Sequence, residues 1–126
     1  MREKSDGGRW TLPGGWADVG YSPFEVAVKE AREETGLIVE ATRLLALFDK
    51  LKHGHPPHPW HSYKAFIQCE VRGGSLRHET SETSGAEWFH QKDLSALDLS
   101  TERVTLSQLQ STFLVASNPG LPTLCD

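Results

Sequence analysis

Long apolar runs are missing from this 126-residue chain. Its longest uninterrupted stretches are a handful of residues, far short of the roughly 20 that a membrane-spanning helix needs. Cysteine is scarce: Cys69 and Cys125 are the only two, and one pair is no disulfide framework. A reducing cytoplasm fits that usage better than an oxidising compartment. Positive charge is not in excess either. Thirteen Lys and Arg stand against seventeen Asp and Glu, a net charge of -4, so there is no basic field to hold a nucleic-acid backbone. Mononucleotide-sized partners stay open, because a bound divalent cation supplies positive charge locally. The polar, charged first residues point away from a secretory signal. No repeat, low-complexity tract or linker interrupts the chain, so one mixed α+β domain over residues 1–126 is expected.

Several segments read clearly. Residues 1–4 and Arg9-Trp10-Thr11-Leu12 form a plausible hairpin, with Asp6-Gly7 expected to supply the positive φ angles of its turn. Leu37 to Glu40 and Arg43 to Phe48 read as strands, or as one interrupted strand. From Ser62 to Val71 the pattern alternates. Tyr63, Ala65, Ile67, Cys69 and Val71 are expected on one face, with Lys64, Gln68 and Glu70 on the other. A short strand is expected around residues 86–89. A last helix is predicted over about 101–115, with Leu106, Leu109, Phe113 and Ala116 at core spacing. Trp10 and Trp88 are expected in the core.

The informative segment is the helix predicted from Pro23 to about Thr35. Ser22 can cap it, Pro23 suits its first position, Glu25 completes a capping box, and Gly36 is placed to end it. Phe24, Ala27, Val28 and Ala31 form an apolar stripe. Glu25, Lys29 and Arg32 form a solvated face, with Glu25 and Lys29 spaced as an ion pair. Glu30, Glu33 and Glu34 fall together on a third face, within roughly 5–6 Å of one another, where like charges repel. They also occupy the end of the helix at which the macrodipole is negative. The plain alternative is a solvated acidic face. A divalent cation reverses the argument, turning three close carboxylates into a hard-oxygen site for magnesium or manganese. Gly14 and Gly15, just upstream, let backbone approach a ligand closely, and a free Gly14 carbonyl can join the metal shell.

With these residues in view, the stretch from Gly15 to Leu37 resembles the Nudix box. That pattern is Gly, five residues, Glu, seven residues, Arg-Glu, an aliphatic, any residue, Glu-Glu, any residue, Gly, an aliphatic. Here it reads Gly15, Tyr21 and then Lys29-Glu30-Ala31-Arg32-Glu33-Glu34-Thr35-Gly36-Leu37. The resemblance implies an α/β/α sandwich around a mixed sheet and a loop–helix–loop catalytic motif. It implies metal held by Gly14, Glu30, Glu33 and Glu34, with Lys29 beside them. Two positions depart: Tyr21 stands for the first Glu and Lys29 for the Arg, two side chains that can pair in the family. The wider match, from Trp10 to Gly20 and on to the His-Pro loop, looks like a subgroup containing CDP-choline and ADP-ribose pyrophosphatases. Family members usually carry strands ahead of the point where Met1 stands, so an N-terminally shortened domain is expected, with a sheet edge that favours a homodimer.

The implied reaction is metal-dependent hydrolysis of a nucleoside diphosphate joined to a second group. Glu82 is the first choice for a general base or extra ligand, and Glu79 the second. Trp16, Asp18, His55, Trp60 and Tyr63 are the expected substrate contacts. Two other classes compete: a Nudix-like binding module without turnover, and a zinc or nickel site on His53, His55, His58 and His61, whose spacings match no standard zinc arrangement.

Overall fold

The computed structural model describes all of residues 1–126. In chain order its elements are β1 (Arg2–Glu3), β2 (Arg9–Trp10), α1 (Pro23–Thr35), β3 (Leu37–Asp49), β4 (Tyr63–Gly74), α2 (Leu106–Ser117) and β5 (Leu124–Cys125), with short 3-10 turns at Lys4–Asp6, Lys50–Lys52 and Gln91–Ala96. The sheet order is β4-β3-β5, antiparallel across β3/β4 and parallel across β3/β5. With the two helices packed on it, this is an α/β/α sandwich around a mixed sheet. No helix is long and apolar enough to cross a membrane.

α1 forms where its end signals place it. Ser22 accepts from the Glu25 N–H, the Glu25 carboxylate accepts from the Ser22 N–H, and Gly36 closes the helix at φ 81°. Because Glu25 is engaged in that cap, the Glu25–Lys29 surface pair does not form. Lys29 turns instead to Asp18, Glu30 and Glu33. β3 is one strand, interrupted by register shifts at Ile38/Val39, Ala41/Arg43 and Leu44/Ala46.

The core lies between the sheet and α2. Leu45, Ala46, Phe48 and Phe66 meet Leu94, Val104, Leu109 and Val115 there. On β4 the sheet settles which side faces in at its N-terminal end. Phe66 is buried and packs edge-on to Phe48 at 5.7 Å, while Tyr63, Ala65 and Val71 are exposed. Phe66 meets Phe48 of the neighbouring strand there, and that aromatic pair takes the inward side. Lys64, two residues before Phe66, is drawn half inside with it.

Other expectations are corrected. The hairpin turn uses Gly7 and Gly8, at φ 62° and 79°, after a 3-10 turn ending at Asp6; no residue other than glycine has positive φ. Residues 86–89 form no strand, because backbone pairing with β1 stops at Ser84 and Gly85. Trp88 is accordingly exposed, whereas Trp10 is buried against Phe89. α2 begins at Leu106, since Thr105 and Gln108 make a capping box that a spacing argument overlooks. Its buried face carries Gln108 and Thr112 beside Leu109; Thr112 donates its hydroxyl to backbone carbonyls. β5, which has no pattern of its own in the sequence, pairs with Ala46 and Leu47.

One arrangement positions the site. The β1/β2 hairpin is bridged to Thr83 through Glu3 and to Leu99 through Trp10. It thereby delivers Pro13-Gly14-Gly15 to the C-terminal half of α1.

Candidate active site

α1 presents Glu30, Glu33 and Glu34 to a cleft of about 700 Å³. The opposite walls are Gly14, Gly15 and Trp16 from the loop after β2, Arg77, Thr80, Ser81 and Glu82 from the loop after β4, and Arg103 from the turn before α2. Glu34 is nearly buried, and its Oε2 accepts from the Gly14 N–H at 2.7 Å. Burial pushes its carboxyl up to about 7. The charges of Glu30 and Glu3 push the same way, while the Gly14 N–H and Arg103 pull it back. Burial also raises Glu30, helped by the charges of Glu33, Glu82 and Asp18 and opposed by Lys29. Gly15 lies so close that a Cβ there would stand 3.2 Å from Glu30 Oε1.

Lys29 ties this face together. Its Nζ is 3.1 Å from Asp18, 3.5 Å from Glu33 and 3.7 Å from Glu30, and the Asp18 contact chiefly holds its pKa above the ordinary lysine value. Asp18 thus pairs with the cation at the box's Arg position, while Tyr21 is exposed. A second cation meets the negative end of the helix. The Arg77 side chain crosses Gly36 so closely that a Cβ there would meet Arg77 Cγ at 2.7 Å.

The predicted site residues divide into two groups. Gly14, Trp16, Lys29, Glu30, Glu33, Glu34 and Glu82 share the cleft, and Asp18 reaches its rim through Lys29. Glu79 is bonded to Lys4 at 2.7 Å, outside it. His55 does not line the cleft either. Its Nδ1 is 2.7 Å from the Thr101 carbonyl and its Nε2 3.0 Å from Gln108 Oε1, so it fastens the His-Pro loop to the start of α2. Trp60 and Tyr63 are exposed, with Tyr63 stacked on His61. The four histidines of the loop take separate partners: Asp126, Thr101 with Gln108, the Trp60 N–H, and Asp49. That arrangement gives no support to a zinc or nickel site. Arg77, Thr80, Ser81 and Arg103 went unnoticed in the sequence. They come from segments with no pattern of their own, and only folding sets them opposite α1.

The cleft offers carboxylate and carbonyl oxygens with no sulfur or imidazole, the donor chemistry of magnesium and manganese. The carboxylates line the cleft without being gathered at ligand spacing: no group of three His, Cys, Asp or Glu side chains is arranged to hold a metal ion. By chemistry the residues fit such an ion.

Acidic helix, glycine loop and flanking guanidinium groups together form one cleft of loop–helix–loop type. The chain belongs to the Nudix family: the model described as the NUDIX domain matches residues 1–109. It is 44% identical over its full length to the Bacillus subtilis (strain 168) protein YjhB, described as a candidate ADP-ribose pyrophosphatase, and spans 59% of that protein's length. A solved structure of an ADP-ribose pyrophosphatase from Streptococcus suis 89-1591 superposes with a TM-score of 0.85 at 36% identity, over 99% of this chain and 86% of that one. A solved UDP-X diphosphatase gives 0.83 at 31% identity, over 94% and 55%.

Proposed function

We propose that this chain hydrolyses the pyrophosphate bond of a nucleoside diphosphate joined to a second group, such as ADP-ribose, CDP-choline or a nucleotide sugar. Water adds to one phosphorus, the bridging P–O bond breaks, and a nucleoside monophosphate and a phosphorylated second group leave. The observation that carries this reading is that Glu30, Glu33 and Glu34 line one cleft with the Gly14-Gly15 loop. The relatives' descriptions support the substrate class.

Glu30, Glu33 and Glu34, with the Gly14 carbonyl, would hold a magnesium or manganese ion, which supplies screening of phosphate charge and acidifies bound water. The chain's own residues do the rest. Lys29 and Asp18 fix the carboxylate face, and the glycine loop lets phosphate oxygens approach backbone. Glu82, across the cleft, takes the proton of the attacking water. Trp16, exposed and 6.2 Å from the His58 ring, offers a platform for the base, and Trp60 and Tyr63 are likewise exposed. His55 acts through the loop it anchors. Both cysteines are free thiols, in keeping with a cytoplasmic setting.

Glu34→Gln is the test. The amide oxygen can still accept from Gly14, so the fold stays, while magnesium-dependent release of monophosphate falls on the order of 100-fold or more. Near-normal turnover in that variant rules the mechanism out. A binding module without turnover is the second reading, favoured by the scattered carboxylates. Tight binding of ADP-ribose without monophosphate release in magnesium would select it.

A further inference from the structure

Three cations line the cleft, Lys29, Arg77 and Arg103. Lys29 is bound to Asp18, Glu30 and Glu33, and Arg77 lies over the end of α1 at Gly36. Arg103 is held differently. Its Nη2 stands 3.1 Å from Glu3 Oε2, and its Nη1 is 3.5 Å from the Gly14 carbonyl, at the outer limit of a hydrogen bond. Glu3 is 3% exposed. Its Oε1 accepts from the N–H and hydroxyl of Ser5, but its Oε2 has no hydrogen-bond partner beyond the facing guanidinium. A buried carboxylate so thinly satisfied is a poor source of stability compared with an apolar side chain of the same size. What it does is hold a guanidinium at one edge. That group carries five N–H donors in a rigid fork, more than Glu3 and the Gly14 carbonyl use, and Arg103 lines the cleft.

The geometry points to Arg103 as the side chain that binds one phosphate of the substrate's pyrophosphate, with the buried Glu3 as its positioning residue. This rests on the pyrophosphohydrolase reading above. A planar fork anchored on one side matches two phosphate oxygens on the other. An anion facing the acidic helix needs such a counter-charge on the opposite wall. Its arrival would also draw Nη1 from its long contact with Gly14, freeing that carbonyl for the metal shell.

Truncating Arg103 alone strands the Glu3 carboxylate in the interior, so two variants avoid that defect. Arg103→Lys keeps a charge for Glu3 and loses the fork; the pair Glu3→Gln with Arg103→Met removes both charges. Each is measured with ADP-ribose and magnesium for KM and kcat, and with inorganic pyrophosphate as a competing inhibitor. Both variants should raise KM and the pyrophosphate inhibition constant on the order of 10-fold to 100-fold, with melting temperatures close to wild type. Wild-type KM and pyrophosphate inhibition in both variants would overturn the assignment. So would a fall in melting temperature and kcat with KM and pyrophosphate inhibition unmoved, which marks Arg103 as a strut for Glu3 alone. If the unaltered protein turns over no substrate, the functional reading fails by itself; direct pyrophosphate binding, weakened or not in the two variants, still decides Arg103.

Discussion

Gly15 sits against Glu30 closely enough that its missing side chain is part of the site. A Cβ would stand 3.2 Å from Glu30 Oε1 and 3.3 Å from its Cδ, so the carboxylate must give way by a few tenths of an ångström. Gly15→Ala is therefore expected to lower kcat/KM on the order of 10-fold, since small displacements of reacting groups are costly. Stability should hardly change, because only the free end of a side chain moves. Unchanged turnover would mean that Glu30 works from a different rotamer. The same scale explains how the two departures from the box are accommodated. Tyr21 and Lys29 cannot form the usual pair, and Asp18 supplies the carboxylate instead, from within the loop the box encloses.

Among the elements, the junction of α1 and β3 is the most tightly specified. Gly36 ends the helix in the left-handed region and lies under Ser75 and Arg77; a Cβ there would come within 2.6 Å of the Ser75 carbonyl oxygen. Gly36→Ala combines strained φ with a backbone clash, and a loss of about 1–3 kcal/mol is expected in urea denaturation. It also pushes on Arg77, so activity should fall with stability. A cost below about 0.5 kcal/mol would show that the junction relaxes freely. α1 was legible because its signals are local: cap, proline, periodicity and closing glycine all lie within the helix or beside it. α2 was misread at its start because the spacing of its leucines says nothing about the cap, whereas Thr105 and Gln108 do.

The whole molecule is a two-sided packing problem, and Lys64 bears its cost. Entering the interior beside Phe66, it meets the charges of Lys50 and Arg103; burial first, and those cations second, lower its pKa to about 8. The folded protein therefore holds this proton less tightly than the unfolded chain, where the value is 10.5. The resulting penalty is complete below pH 8 and fades as pH rises to 10.5, so this group makes stability increase across that window. Lys64→Met should stabilise the protein by about 1–3 kcal/mol at neutral pH, with the gain gone at the alkaline end. Thermal melts of both proteins across that range check it; a gain independent of pH would point to packing instead of charge.

By itself the sequence determined the acidic helix, its caps, the glycine loop that meets it and the family to which both belong, because each is written in residues close along the chain. It also determined that β4 alternates, but not which side faces in. That choice needed Phe48 on the neighbouring strand for Phe66 to pack against. Only the tertiary structure placed Glu3, Arg77 and Arg103 around the carboxylates and moved His55 out of the cleft to Thr101 and Gln108. Charges far apart in sequence find one another through the hairpin, the sheet and the helices between them, and no local pattern of residues records where those will meet.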